Sequence, residues 1–363
     1  MKLAPVIRVM RSQTELFDVR LCVTAQHREM LDSLLEFFSL KPDYDLNLMQ
    51  EDQGLSELTG NILKALERVL DNEKPDWLLV QGDTTTTMSA SLAAHYHKVK
   101  VAHVEAGLRT DRKYEPFPEE MNRRITATIA DLHFAPTETA RDNLLREGIG
   151  DERIFVTGNT VIDALLEISE SCDEKRLDSV IPALSSNRII LVTAHRRENF
   201  GAPIRAVCRA VRMIADSYRN DIQIVCPVHL NPNIQKPVYE LLKNVENIIL
   251  AKPLDYLSFV GLMKRCYIVL TDSGGVQEEA PSFGKPVLVL RNVTERPEGI
   301  RAKVAKLVGT ETKRIYNEVS RLLLDQRAYR EMSLAANPYG DGHAAERICD
   351  TLAVCEKKAA CVC

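Results

Sequence analysis

The chain has 363 residues, 45% of them hydrophobic and 27% charged, with a formal net charge of −4. That length favours two domains, and the mild negative charge argues against nucleic acid or an anionic membrane as the main partner. No apolar run nears the roughly 20 residues of a membrane helix, and Met1-Lys2-Leu3-Ala4-Pro5 lacks signal-peptide character, so a cytoplasmic location is expected.

Strand-like apolar runs alternate with helical patterns, the signature of a parallel α/β fold. In the first half the expected strands are Val19–Thr24, Trp77–Gln81, Val99–Val104, Leu132–Ala135 and Ile154–Thr157. Helices are expected at His27–Phe38, Leu55–Leu70, Glu119–Ile129 and Thr160–Ser169. The polar, Pro-containing stretch Asp173–Asn187 breaks the rhythm. The second-half strands are Ile189–Thr193, Ile222–Val225, Asn247–Leu250, Tyr267–Leu270 and Pro286–Leu290. This predicts one domain over residues 1–169, a second over 170–342, and a C-terminal segment, 343–363. Nine cysteines are scattered in or beside apolar runs or isolated, which fits reduced thiols rather than a disulfide framework. The terminal Cys361-Val362-Cys363 reads as an exposed tail.

In open parallel sheets, ligands bind outside the carboxyl ends of the strands. Five polar clusters follow strands here: Gly82-Asp83-Thr84-Thr85-Thr86-Thr87, Glu105-Ala106-Gly107-Leu108-Arg109, Ala194-His195-Arg196-Arg197-Glu198, His229-Leu230-Asn231-Pro232-Asn233 and Thr271-Asp272-Ser273-Gly274-Gly275. The last is the most telling. Ser273-Gly274-Gly275 opens a helix, lets backbone N–H groups approach an anion, and is followed by Glu278 and Glu279, suited to ribose hydroxyls. Phosphate plus ribose indicates a nucleotide. Basic groups gather in the second half (His195, Arg196, Arg197, His229, Arg291, Arg296) and carboxylates in the first (Asp83, Glu105, Glu119, Glu120). Glu119 and Arg123, four apart on a helix, also fit a plain ion pair. Asp43-Tyr44-Asp45 reads as a polar connection rather than a metal motif, no His/Cys spacing suits zinc, and no Walker or Gly-x-Gly-x-x-Gly loop is present.

Several long motifs closely resemble the bacterial non-hydrolysing UDP-N-acetylglucosamine 2-epimerases. They include Thr24-Ala25-Gln26-His27-Arg28-Glu29-Met30-Leu31, His103-Val104-Glu105-Ala106-Gly107-Leu108-Arg109-Thr110, Pro118-Glu119-Glu120-Met121-Asn122-Arg123, His195-Arg196-Arg197-Glu198-Asn199-Phe200-Gly201, Asp272-Ser273-Gly274-Gly275-Val276-Gln277-Glu278-Glu279 and Asn337-Pro338-Tyr339-Gly340-Asp341-Gly342. The resemblance runs from Met1 to about Leu352. It implies a GT-B-like fold of two Rossmann-like domains facing across a cleft, usually a homodimer, with the last helix returning to the first domain. It implies interconversion of UDP-GlcNAc and UDP-ManNAc without a redox cofactor, by elimination of UDP to 2-acetamidoglucal and re-addition, supplying precursors for surface polysaccharide.

By the same resemblance Asp83, Glu105, Glu119 and His195 are catalytic. Lys2, Arg123, His229, Phe259, Ser273, Gly274, Gly275, Glu279 and Arg296 bind substrate, Arg291 joins the diphosphate clamp, and Gln26 and His27 match a regulatory substrate site. Two departures stand out. Family members carry a strand and a Gly-Thr-Arg-Pro-Glu loop before the segment matching Met1–Pro5, so reduced stability and activity are expected of the chain as written. Leu254 and Asn61 replace a polar nucleotide contact and a regulatory-site Arg. The competing expectations are a GT-B glycosyltransferase using a UDP-sugar donor, and an inactive UDP-sugar-binding protein.

Overall fold

The expected alternation is realised as parallel sheets in a computed structural model that describes residues 1–24, 28–48, 53–172, 174–184 and 187–360. The chain divides into two compact units, Met1–Ala164 with Gly340–Cys363, and Leu165–Tyr339.

In the first unit the elements run α1 (Ala4–Ser12), β1 (Cys22–Val23), α2 (Arg28–Phe37), β2 (Tyr44–Asp45), α3 (Leu55–Glu73), β3 (Trp77–Gln81), α4 (Thr85–Tyr96), β4 (Lys100–Val104), α5 (Glu119–Ile129), β5 (Leu132–Ala135), α6 (Glu138–Arg146) and β6 (Ile154–Val156). The chain leaves this unit within α7 (Thr160–Glu170) and returns to it for a C-terminal helix, Ala344–Ala360. Strands β3-β4-β5-β6 form one parallel sheet in sequence order. Apolar positions explain its burial. Leu58, Ile62, Leu66 and Leu70 form a stripe of i, i+4 spacing on α3 that packs with Val80, Ala93, Ala94 and Val101 against one face. Ala102, Val104, Leu132 and Phe134 meet Val6 and Met10 of α1 and Ile348 and Leu352 of the C-terminal helix on the other. Val101 and Ala102 thus face opposite layers, as the strand period of two requires.

The sequence places a strand at Val19–Thr24 and a polar connection at Asp43–Asp45; the structure corrects both. Only Cys22–Val23 is strand, and its parallel partner is Tyr44–Asp45, in a separate two-stranded sheet. The reason is side-chain competition for the backbone. The Asp43 carboxylate accepts the Leu21 N–H at 2.7 Å, while the Asp43 and Tyr44 N–H groups donate to the Leu21 carbonyl, fixing the register there.

The second unit contains α8 (Glu174–Val180), β7 (Arg188–Thr193), α9 (Ala202–Ser217), β8 (Ile222–Pro227), α10 (Pro232–Leu242), β9 (Ile248–Ala251), α11 (Tyr256–Arg265), β10 (Ile268–Thr271), α12 (Gly274–Glu279), β11 (Val287–Val289), α13 (Pro297–Arg301), β12 (Ala305–Leu307), α14 (Thr312–Leu324) and α15 (Gln326–Ser333). Its six strands are parallel in the order β12-β11-β10-β7-β8-β9. Helix α8 lies within the stretch read as a break, and β12 is an edge strand the sequence pattern does not single out. The central strands are apolar on both faces, as a sheet covered by helices on both sides demands; all four residues of β10 are buried. Strand order reverses between β7 and β10, which makes that junction a topological switch point.

Candidate active site

In the first unit, residues from several elements converge at the carboxyl ends of β3 and β4. Glu105 follows β4 with φ of +65°, a left-handed conformation that a residue with a side chain adopts at a cost. Its buried carboxylate accepts from the Lys2 ammonium and, at 3.3 Å, the Asn159 amide on Oε1, and from the Gln81 amide on Oε2. Asp83, in the β3–α4 turn, accepts from Arg123 Nε at 3.0 Å and Nη2 at 2.8 Å. Arg123 also donates to the wholly buried Glu120, which accepts the Thr110 N–H and the Arg124 guanidinium as well. These hydrogen bonds hold the Glu120 carboxyl below its ordinary range even though burial, the largest influence, pushes it up. Glu120 thereby anchors the start of α5 to the Thr110 segment and aims Arg123 at Asp83. The half-buried Glu119 points elsewhere: its Oε2 is buried and has no hydrogen-bond partner among the described residues. Arg123 therefore pairs with Asp83 and Glu120, and the Glu119–Arg123 pair that the helix spacing suggested does not form.

In the second unit, the His195 loop and the Ser273 turn lie at the ends of β7 and β10, on the switch point. Asp272, completely buried, ties them together. It accepts the backbone N–H of His195 (3.1 and 3.0 Å) and of Arg196 (3.0 Å) and the Asn199 amide (2.9 Å), and its Oδ1 lies 3.3 Å from His195 Nδ1. This fixes the imidazole with Nε2 directed away from Asp272. Burial lowers the His195 pKa, opposed by Asp272 and assisted by Arg196 and His229. The His229 ring stacks beside it, centroids 5.9 Å apart.

A Cβ added to Gly274 would lie 3.6 Å from Arg196 Nη2 and 3.9 Å from the Arg296 guanidinium, so two cations border the turn whose backbone N–H groups begin α12. Arg296 is ion-paired with the buried Glu278. Arg291 is also buried and is ion-paired with Glu198 and Glu295. Glu279 is buried, and Phe259 is half-buried on α11.

The five polar clusters thus do stand at carboxyl ends of parallel strands. Lys2, Glu105, Asp83 and Arg123 are brought together in pairs in the first unit, and His195, His229, Ser273, Gly274 and Arg296 gather in the second. Gln26 and His27 lie outside the described residues. Sequence reasoning missed Gln81 and Asn159 on Glu105 and the anchoring roles of Asp272 and Glu120. The signal for Asp272 was present, since a carboxylate directly after an apolar strand and before a glycine turn is well placed to accept loop N–H groups. Among the described residues no group of three or more side chains is arranged to hold a metal ion, and no helix is long and apolar enough to cross a membrane.

Comparison with known proteins gives a consistent answer. The family model for UDP-N-acetylglucosamine 2-epimerase matches residues 10–353. The UDP-N-acetylglucosamine 2-epimerase of Escherichia coli (strain K12) is 54% identical over 357 residues, covering 97% of this chain and 94% of that protein. That of Salmonella typhimurium (strain LT2) is also 54% identical, with the same coverage. Among solved structures, the Neisseria meningitidis UDP-GlcNAc 2-epimerase bound to UDP-GlcNAc is 48% identical, with a TM-score of 0.85 over 97% of this chain and 95% of that one. With the α/β units, the strand-end clusters and these relatives in agreement, the chain belongs to the UDP-N-acetylglucosamine 2-epimerase family.

Proposed function

We propose that this protein is an isomerase that interconverts UDP-N-acetylglucosamine and UDP-N-acetylmannosamine by inverting C2. A base removes the C2 proton while the C1–O bond breaks. Its electron pair leaves with the UDP β-phosphate oxygen, and a C1=C2 double bond forms, giving 2-acetamidoglucal. The same phosphate oxygen then adds back to C1 as a proton is delivered to the other face of C2. Atoms balance with no oxidant or reductant.

Each step needs groups of a kind present here. Backbone N–H groups of Gly274 and Gly275, with the Ser273 hydroxyl and Arg296, suit the diphosphate, and His195, its Nδ1 held toward Asp272, suits the leaving phosphate oxygen as a donor in its protonated form. Glu279 is assigned to the ribose, Phe259 to the uracil, and His229 to the phosphate side. Asp83, Glu105 and Glu119 are assigned to the sugar, with Lys2 and Arg123 balancing their charge. Glu119 Oε2 has no hydrogen-bond partner among the described residues and Arg123 bonds only Oδ2 of Asp83, so each of these two carboxyls keeps an oxygen for proton exchange. A homodimer acting in the cytoplasm completes the reading.

The observation that carries it is that the chain holds both an Asp272-anchored His195 beside a glycine turn, in the second unit, and several carboxylates, with Glu105 buried at a strand end, in the first. A glycosyltransferase needs the first and has no use for several acids around the sugar. The test is proton NMR of purified protein with UDP-GlcNAc: a growing UDP-ManNAc anomeric signal supports isomerase action, and a spectrum that stays static contradicts it.

A further inference from the structure

We infer that Gln81 and Asn159 are positioning residues for Glu105, holding its carboxylate in one orientation toward the sugar. This rests on the proposed reading of Glu105 as a group acting on substrate. Four observations lead to it. Glu105 is 9% exposed and sits at a φ of +65°, so its place is maintained against both desolvation and backbone preference. Each carboxylate oxygen has a donor: Oε1 takes the Lys2 ammonium and the Asn159 amide, and Oε2 takes the Gln81 amide. These three donors come from unrelated places, the residues just before α1, the last residue of β3 and the residue before α7, so no single element's packing places them there. Finally, two of the three are neutral amides. Lys2 is sufficient to compensate the charge; an amide adds direction and no charge. Fixing both oxygens by donors of different chemistry is what orientation requires.

Asn159 does a second job. Its Oδ1 accepts the Val161 N–H at 3.1 Å and caps the start of α7, while Nδ2 faces Glu105. The two functions are separable. Asn159→Ser keeps a capping oxygen without adding charge and is too short to donate to Glu105, whereas Gln81→Leu keeps side-chain bulk and removes the other donor.

The experiment measures exchange of the substrate's C2 proton with solvent deuterium, UDP affinity by calorimetry and the melting temperature for Gln81→Leu, Asn159→Ser, Glu105→Gln and the double variant Gln81→Leu/Glu105→Gln. Each positioning variant is expected to slow exchange about 10- to 100-fold. UDP affinity should stay within about threefold, below the tenfold that corresponds to 1.4 kcal/mol. The double variant should be no slower than Glu105→Gln, because the amide acts through that carboxylate; a general loss of fold would add instead. Native exchange rates in both Gln81→Leu and Asn159→Ser, with Glu105→Gln slow, would overturn the positioning roles and leave the reading of Glu105 intact. A native rate in Glu105→Gln would overturn that reading itself. Should Gln81→Leu fail to fold, Asn159→Ser decides the matter, with melting temperature and UDP binding as controls.

Discussion

Acidification from pH 6 to pH 5 should destabilise the first unit through two buried histidines. His103 on β4 and His133 on β5 are register partners, 1% and 0% exposed. Burial is the main cause that lowers His103 to about 4 and His133 to about 3. A backbone bond from His103 to the Gly82 carbonyl at 2.8 Å only partly offsets this, while His103 itself, Arg153 and Arg109 lower His133 further. The sign follows. Above pH 6.5 both rings are neutral in the folded and unfolded chain alike. Below it the unfolded chain takes up protons that the folded one refuses, so stability falls from pH 6.5 until the folded values near 4 and 3 are reached.

Each ring contributes about 1 kcal/mol between pH 6 and pH 5, so the pair contributes about 2 kcal/mol. Carboxylates held low by their partners, such as Asp341, lowered to about 2 beside Arg347, lose stabilisation only as pH falls below their ordinary values near 4, outside this window. Urea denaturation at pH 7, 6, 5.5 and 5 reads the slope, and His133→Phe should roughly halve it. A free energy constant within about 0.5 kcal/mol from pH 6 to pH 5 would refute the argument, since one buried neutral histidine exceeds that.

Gly107→Ala should unfold or strongly destabilise the first unit. At φ of +87° the new Cβ would sit 2.2 Å from the Ala140 carbonyl oxygen, and strain plus overpacking together cost about 3–5 kcal/mol, read as a lost or sharply lowered melting transition. Gly274→Ala should behave oppositely. Its Cβ meets only arginine tips at ordinary contact distance, so melting is little changed while calorimetry shows UDP affinity reduced about tenfold or more, because backbone access is blocked. Asp83→Asn and Glu119→Gln should each cut turnover about 10²- to 10⁴-fold with UDP affinity retained; unchanged exchange of the C2 proton in either would remove that residue from the chemistry. Tyr339→Phe leaves the buried Gly299 N–H without its 3.0 Å acceptor and should lower stability by about 1–3 kcal/mol in denaturant titration.

Much of this was legible in the sequence because parallel strands advertise themselves. An apolar run followed at once by small or charged residues marks a carboxyl strand end, and that rule found Asp83, Glu105, His195, His229 and Ser273 without knowledge of their neighbours. The convergence on Glu105 was not legible. Lys2, Gln81 and Asn159 lie 103, 24 and 54 residues from it in the chain, and no local pattern encodes such a meeting. Pairing choices were equally hidden: Arg123 had carboxylates three and four residues away and one forty away, and only the fold decided for Glu120 and Asp83 over Glu119. The two-residue strands at Cys22 and Tyr44 escaped because they carry no periodicity, being set by the Asp43 carboxylate rather than by burial.

The central claim is that this chain breaks and remakes the bonds at C1 and C2 of a UDP-sugar. The most direct measurement is incubation of UDP-GlcNAc with the protein in deuterium oxide, followed by proton NMR and mass analysis of both epimers. The account predicts UDP-ManNAc carrying deuterium at C2, and recovered UDP-GlcNAc that becomes deuterated there as the reaction reverses. UDP-ManNAc formed with its C2 proton retained, or no product and no exchange, would contradict it.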